Sequence, residues 1–236
     1  MSFSPVCAHL PFLLQQRAAR LRQESTLLFA AHPPGTSPGP ALYRLLRTAS
    51  SLELYARLLT PAPFAAGCEL NSCAAALVQA IRELCPLRRG QLSFFPAASP
   101  LPVGLPAFVL SPLLCHLACN SLQQAGKGAQ LCLKTGTSTG RAYLYLSVNG
   151  PGLGSSFLPG GSTGLGLACC RLAARRAGGS FFGWNLPRRG RAGGGAAVVL
   201  ALPLAPSAPA CPPFFWEGDR FSPFLVQLSP CCILPD

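Results

Sequence analysis

The sequence contains few acidic residues. Seven Asp and Glu stand against 19 Lys and Arg in 236 residues, which gives a formal net charge of +12 at pH 7. No acidic residue lies between Glu83 and Glu217, so this stretch offers no carboxylate for acid–base catalysis. Its basic residues are Arg88, Arg89, Lys127, Lys134, Arg141, Arg171, Arg175, Arg176, Arg188, Arg189 and Arg191. Such a surface attracts polyanions, whether nucleotide phosphates or nucleic acid, although arginine-rich codon usage would produce the same composition.

Long apolar runs are also absent. The most apolar stretches, 196–206 and 74–81, are shorter than the roughly 18–20 residues that a helix needs to cross a bilayer. The amino terminus has no basic residue before its apolar part, so it does not predict a signal peptide. We therefore expect a cytoplasmic protein without a membrane partner.

Histidine is scarce, with three residues in the chain. The adjacent cysteine pairs at 169–170 and 231–232 lack the C-x-x-C spacing of zinc sites. A free thiol in an apolar segment packs as a small hydrophobic group. The cysteines in such segments are Cys73, Cys85, Cys115, Cys119 and Cys132. We therefore expect reduced, packed cysteines that bind no metal.

Two amphipathic helices are predicted at 10–31 and 41–59, separated by several prolines. A short connection between such helices favours an antiparallel hairpin, which buries one face of each helix internally. The second apolar face has no obvious cover in the sequence. We therefore expect the hairpin to mediate homodimerisation.

The remaining pattern alternates helices and strands. A helix over 70–84, with Asn71 as a plausible cap, precedes a strand at 91–95. Ser111 and Pro112 predict the N-cap and first position of a helix that ends near 125. The later segments are strands at 130–135 and 142–148, a glycine-rich stretch at 149–166, a helix at 167–177, and strands at 180–184 and 196–203. This order predicts an α+β fold, a two-layer sandwich with helices on one face of a mixed sheet. Alternating apolar residues at 219–228 indicate an added strand or a cap on a sheet edge.

Four blocks within this pattern resemble a known family. They are 113–124 (LLCHLACNSLQQ), 147–154 (SVNGPGLG), 160–167 (GGSTGLGL) and 194–204 (GGAAVVLALPL). In order and spacing they are similar to the N, G1, G2 and last-strand blocks of histidine-kinase-type ATPases. The resemblance implies the histidine-kinase ATPase fold at 67–206. It also implies a hairpin at 1–66 like the dimerisation element of sensor histidine kinases, followed by a tail at 207–236.

The resemblance assigns a role to each block. Asn120 matches the residue that coordinates the Mg²⁺ bridging the phosphates of ATP. Gly150 and Gly152 match glycines that let the backbone pass close to the adenine. The turn that opens the next helix would meet phosphate through free N–H groups. The residues of this turn are Thr163, Gly164, Leu165 and Gly166. His116, one turn before Asn120, stands where the family often has Asn or an acid, and we expect it to pack.

The sequence also departs from the family pattern. Val148 stands where the family has the Asp that accepts the adenine amino hydrogen, and an unpaired buried amino group costs about 1–3 kcal/mol. Asn149 is expected to point to the other side of the strand end. Gln123 replaces a frequent Lys. His9 and His32 lack the His-Glu-x-x-x-Pro context of a phosphoacceptor.

Three functions are consistent with these residues. The leading hypothesis is a dimeric, ATP-binding, histidine-kinase-like protein of two-component signalling that is degenerate in catalysis, with a response regulator as a possible partner. The second is an active cytoplasmic sensor histidine kinase. The third is a basic nucleic-acid-binding protein. It is less favoured, because the aromatic residues are not interleaved with the arginines as single-strand binders require.

Overall fold

The structure is a computed structural model that describes residues 5–31, 39–60, 62–85, 87, 91–126, 128–153, 164–187, 194–206 and 222–232. The helices in these ranges are α1 (Pro5–Ala30), α2 (Pro40–Leu59), α3 (Leu70–Leu84), α4 (Ala107–Ala125), α5 (Leu165–Arg176) and α6 (Pro223–Leu228). The strands are β1 (Cys68–Glu69), β2 (Leu92–Phe95), β3 (Pro102–Val103), β4 (Leu131–Ser138), β5 (Arg141–Asn149), β6 (Ser180–Leu186) and β7 (Gly195–Pro203).

Five strands form one mixed sheet in the order β2-β4-β5-β7-β6. β2 runs parallel to β4, and the other neighbouring strands are antiparallel. β4 and β5 form a hairpin whose turn residues, Thr139 and Gly140, have φ of 49° and 72°. Two consecutive positive φ values characterise the tight turn whose twist matches that of the strands it joins. The short strands β1 and β3 pair separately.

The sheet has a buried inner face and a more accessible outer face, because successive side chains of a strand point in opposite directions. On β5, Ala142, Leu144, Leu146 and Val148 are buried, whereas Tyr143 and Tyr145 between them are partly accessible. Apolar residues of α3, α4 and α5 join those of the inner face in one core. The predicted two-layer α+β sandwich, with helices on one face of a mixed sheet, is confirmed.

The helical hairpin packs on this sandwich. α1 contacts α2, and α2 also contacts α5 and α6. Arg176 at the end of α5 stabilises the contact. Its guanidinium donates hydrogen bonds to the carbonyl oxygens of Arg57 (2.8 Å) and Leu58 (3.1 Å), and to that of Ala62. It also lies over the Phe64 ring, 4.5 Å from the ring centroid. α2 therefore packs between α1 and the sandwich. The exposed apolar residues of α1 include Leu10, Phe12, Leu13, Leu27 and Leu28.

Two predicted helix starts are corrected. α4 begins at Ala107, so Ser111 and Pro112 lie inside the helix. Proline inside a helix costs about 3 kcal/mol, but the additional turn buries Val109 and Leu110 completely, and burial of each such side chain contributes about 1.5–3 kcal/mol. For α3, the capping side chain is Glu69 and not Asn71. The Glu69 carboxylate accepts hydrogen bonds from the backbone N–H groups of the first turn.

The predicted strand in the tail is wrong for the part that the structure describes. Residues 223–228 form α6, and a 3-10 turn follows at Ser229–Cys231. Phe224 and Leu228 lie four residues apart, on the same side of the helix, and both are buried in the main core. This tertiary burial outweighs the local alternation. Residues 207–221 of the tail lie outside the described ranges. In the described parts of the chain, no helix has both the length and the apolar character of a membrane span.

Candidate functional site

The first part of the candidate site is the end of β5. Val148 is 3% exposed on the inner face of the sheet, between Leu131 of β4 and Ala196 of β7. The Asn149 amide is directed toward the loop before β4. Its Oδ1 accepts from the backbone N–H of Gln130 at 2.6 Å, and its Nδ2 donates to the backbone carbonyl of Gly128 at 3.2 Å. These bonds hold the amide at the loop before β4, so Asn149 does not supply the acceptor that Val148 lacks.

The glycines after β5 adopt backbone conformations that other residues rarely adopt. Gly150 has φ of 137° and Gly152 has φ of 98°. A Cβ on Gly150 would lie 3.3 Å from the Cα of Ala125, at the end of α4. The turn therefore passes directly against that helix end. Both positions require glycine because of their positive φ.

Asn185 on β6 is a site residue that the sequence did not indicate. Its Oδ1 accepts a hydrogen bond from the backbone N–H of Leu153 at 2.5 Å and lies 2.7 Å from where a Cβ on Gly152 would be. It therefore anchors the glycine turn from a strand 32 residues away in the chain. No local pattern marks an asparagine for such a contact.

α4 carries the second part of the site. Asn120 is partly buried and Gln123 is exposed. His116, one turn before Asn120, is 2% exposed. Within the described ranges, Asn120 makes no side-chain hydrogen bond, so its amide is available to a ligand.

The start of α5 is the third part. Gly164 occupies the N-cap position without a capping side chain, and Leu165 packs against the core. A Cβ on Gly166 would lie 2.9 Å from Cγ and 3.0 Å from Nδ1 of the His116 ring. Gly166 therefore allows α5 to approach α4 closely. Thr163 lies outside the described residues.

His116 connects this site to the hairpin. Its Nε2 lies 3.3 Å from the hydroxyl oxygen of Ser51 on α2. Burial, with a further contribution from the charge of Arg47, lowers the pKa of His116 from 6.5 to about 4. The ring is therefore neutral near pH 7 and packs between α2, α4 and α5, as the sequence suggested.

α4 brings the three parts of the site together. His116 contacts the start of α5, and Ala125 contacts the glycine turn after β5. Asn120 lies between these two contacts, four residues after the first and five before the second. α4 therefore links the glycine turn after β5 to the start of α5.

The chemistry of these residues suits the phosphates of a nucleotide better than its adenine. Uncapped N–H groups at the start of α5 suit phosphate oxygens. The amide oxygen of Asn120 is a hard ligand of the kind that Mg²⁺ prefers, and further oxygens would have to come from phosphates and water. Among the described residues, no group of three or more His, Cys, Asp or Glu could hold a metal ion. At the other end, Val148 offers no acceptor to an adenine amino group.

Comparison with solved structures identifies the fold. Full-length ShkA in complex with AMPPNP matches at 16% identity and a TM-score of 0.54, covering 86% of this chain and 46% of ShkA. The catalytic domain of the histidine kinase ThkA matches at 19% identity and a TM-score of 0.48, with 60% and 97% covered. The histidine kinase domain of the E. coli osmosensor EnvZ matches at 19% identity and a TM-score of 0.45, with 66% and 98% covered. No protein-family model matches the sequence, and no curated protein matches it.

At these identities the likeness is one of fold. The ShkA match extends over the hairpin and the sandwich, since it covers most of this chain. The helical layer on one face of a mixed sheet and the helical hairpin agree with the architecture that the sequence predicted. The chain therefore has the fold of histidine kinase catalytic domains, preceded by a helical hairpin.

Proposed function

We propose that the chain is a cytoplasmic, histidine-kinase-like protein of two-component signalling whose ATPase-type domain has lost adenine recognition. The observation that supports this most directly is Val148. It is buried on the inner face of β5 and precedes the two left-handed glycines of the turn. A valine here leaves a bound adenine amino group without an acceptor, at a cost of about 1–3 kcal/mol. The site would then bind nucleotides mainly through their phosphates.

Three features favour residual phosphate binding. The N–H groups at the start of α5 have no capping side chain. Asn120 lies between the start of α5 and the glycine turn. No acidic residue lies between Glu83 and Glu217, so no carboxylate of this stretch repels an anion. The ShkA structure holds AMPPNP, which supports a nucleotide as the class of ligand.

The same composition argues against catalysis. α4 carries no carboxylate that could act as a general base. Its histidine is buried and contacts Ser51 of α2, so His116 is held by the hairpin. His9 and His32 lack a phosphoacceptor context. We therefore propose a signalling role that depends on binding and assembly, with 67–206 as the ATPase-like unit, 1–66 as the assembly element and 207–236 as the tail.

We also propose that the chain forms a homodimer. Because α2 packs on the sandwich, the dimer contact would use α1, where Phe12 is 59% exposed and Leu27 is 63% exposed. An apolar stripe of this kind on a long helix suits a second copy of the same helix. A response regulator would be the downstream partner of such a dimer.

The test is a titration of the full chain with ATP and GTP, with and without Mg²⁺. Wild type is expected to discriminate poorly between the two nucleotides. Val148→Asp is expected to strengthen ATP binding selectively by about ten- to a hundredfold, because a hydrogen bond to a charged acceptor contributes about 1.5–3 kcal/mol. Val148→Ala is the matched control, since it opens the same space without adding an acceptor.

Asn120→Ala tests whether this side chain binds Mg²⁺ next to the phosphates of the nucleotide. It is expected to abolish the Mg²⁺-dependent part of the affinity and to leave a salt-sensitive part. Equal losses with and without Mg²⁺ would remove Asn120 from the metal-ligand role. A folded Val148→Asp protein that gains nothing for ATP over GTP would refute the adenine assignment. Acid-labile phosphohistidine after single-turnover labelling with ATP would show an active kinase instead.

A further inference from the structure

The outer face of the five-stranded sheet carries aromatic residues together with cations. Strand alternation places Tyr143 and Tyr145 of β5 on this face, opposite to the buried residues between them. Phe182 and Trp184 of β6 follow the same alternation and are 50% and 40% exposed, and Phe95 at the end of β2 is 54% exposed. The cations of this face are Lys134 of β4 and Arg141 of β5. We call these seven residues the outer patch.

Three rings of the outer patch lie side by side. The centroids of Tyr145 and Trp184 are 6.0 Å apart, and those of Phe182 and Trp184 are 6.1 Å apart with nearly parallel planes. The ammonium group of Lys134 lies 5.2 Å from the centroid of the Phe95 ring. A shallow groove of about 490 Å³ runs between the cations and the rings, lined by Lys134, Ser138, Thr139, Arg141, Tyr143, Tyr145, Phe182, Val199 and Ala201.

The charge of this face has one sign. The five strands span residues 92–203, and no Asp or Glu occurs anywhere in that range. No carboxylate of the sheet therefore neutralises Lys134 or Arg141. An exposed apolar patch on a monomeric protein indicates a binding surface, and the uncompensated cations select for an anionic partner.

We propose that the outer patch binds single-stranded nucleic acid. Bases stack on Trp184, Phe182 and Tyr145, and backbone phosphates bind Lys134 and Arg141. Single-strand binders combine a positive groove with aromatic side chains in this way, and the binding tolerates many sequences because every base has a stackable face. In the sequence these aromatic residues are separated from the basic ones. The pairing of β4 with β5, and of β5 and β6 with β7, brings them onto one surface.

A second copy of the chain fits this surface less well. A symmetric contact through the outer patch would place Lys134 and Arg141 near their own counterparts, with no acidic residue of the sheet to offset the repulsion. A duplex also fits less well, because its bases are stacked internally and cannot lie on the rings. The inference concerns the face opposite to the candidate nucleotide site and does not depend on the proposed function.

The experiment is a fluorescence-polarisation titration of the full chain with labelled oligonucleotides of about 12 nucleotides, a length within the site sizes of single-strand binders. The probes are oligo-dT, oligo-U and a duplex of equal length. Both single strands are expected to bind more tightly than the duplex. Trp184→Leu keeps apolar bulk but removes the ring, and it is expected to weaken single-strand binding by roughly ten- to a hundredfold. Phe108→Leu, which removes a ring of the same exposure (40%) from α4, is the matched control and is expected to leave binding unchanged.

Two further readouts separate stacking from general attraction to a basic protein. The double variant Lys134→Gln, Arg141→Gln is expected to lower the slope of log affinity against log salt by about 1.4, since each phosphate contact to a single strand contributes about 0.7. The chain has two tryptophans. In a Trp216→Phe variant, single strands are therefore expected to quench the fluorescence of Trp184.

Several outcomes would overturn the inference. Equal binding of duplex and single strands with no loss in Trp184→Leu would show attraction by net charge alone. A change in sedimentation of Trp184→Leu, with oligonucleotide binding unaffected, would assign the outer patch to self-association. Binding to vesicles of anionic lipid that is stronger than binding to oligonucleotides, and that is lost in the same variant, would assign it to a membrane surface. If Trp184→Leu does not fold, the quenching of Trp184 fluorescence decides.

Discussion

Acidification is expected to destabilise the protein through His116. This side chain is 2% exposed, and burial together with the charge of Arg47 lowers its pKa from 6.5 to about 4. In the unfolded chain the imidazole regains its ordinary pKa and binds a proton below about pH 6.5. In the folded chain the imidazole stays neutral until the pH falls to about 4. Stability is therefore fully present above about pH 6.5 and falls as the pH drops from there toward about 4.

The size of the effect follows from the two pKa values. With 6.5 in the unfolded chain and about 4 in the folded chain, linkage predicts that the free energy of unfolding falls by about 2 kcal/mol between about pH 8 and about pH 5. Glu69 adds little to this loss, because its ordinary pKa of 4.5 lies below pH 5 and the stability that it contributes is lost mainly below that pH. Burial raises its pKa, but hydrogen bonds from Ser72, Leu101 and Asn71 outweigh burial and lower the pKa below its ordinary value.

Urea unfolding at about pH 8 and about pH 5 measures this loss. His116→Gln is the matched variant, because an amide of similar length can hydrogen-bond Ser51 but does not titrate. Wild type is expected to lose about 2 kcal/mol more than His116→Gln over this range. His9 and His32 are present in both proteins, so their titration cancels in the difference. Equal losses in the two proteins would refute the claim that His116 is buried in its neutral form.

Three further predictions concern the contacts of the helices. Gly166→Ala is expected to cost about 1–3 kcal/mol, because its Cβ would lie 2.9 Å from the His116 ring. The cost should shrink in a His116→Ala background, and urea unfolding of the double-mutant cycle would detect the coupling. Arg176→Ala removes charge-assisted hydrogen bonds to the end of α2 and is expected to cost about 1–3 kcal/mol, with faster amide hydrogen exchange in α2. Arg176→Lys should recover only part of this loss, and full recovery would show that the guanidinium geometry is not needed. Phe12→Lys together with Leu27→Lys is expected to yield a monomer by light scattering if α1 forms a dimer contact, and a wild-type protein that is already monomeric would exclude that contact.

Local signals in the sequence located most of the secondary structure. The helix at 70–84 has the same bounds in the structure as in the sequence, because its apolar residues recur at helical spacing and a proline follows its end. The strands β4 and β5 were predicted at 130–135 and 142–148, although β4 continues to Ser138. The order of the four resembling blocks predicted the two-layer fold before any contact was known.

Residues whose roles depend on distant contacts were not predicted. Asn185 anchors a turn 32 residues before it, and Glu69 caps α3 while also accepting the backbone N–H of Leu101. The sequence predicted the start of a helix at Pro112 and indicated an added strand in the tail. In both cases burial against other elements outweighs the local preference of the residues. Short-range propensities are small compared with the burial of several apolar side chains.

Composition and periodicity determined the kind of fold, the absence of carboxylates in the five-stranded sheet and the glycines of the candidate site, because these are properties of single residues and short spacings. Only the tertiary structure decided what surrounds each of them. It placed His116 against Gly166 and Ser51, covered α2 with the sandwich, and directed Asn149 away from the inner face. It also gathered Trp184, Tyr145 and Lys134 on one surface. The physical reason is that strand pairing and helix packing join residues that are far apart in the chain, and no local pattern records which partners will meet.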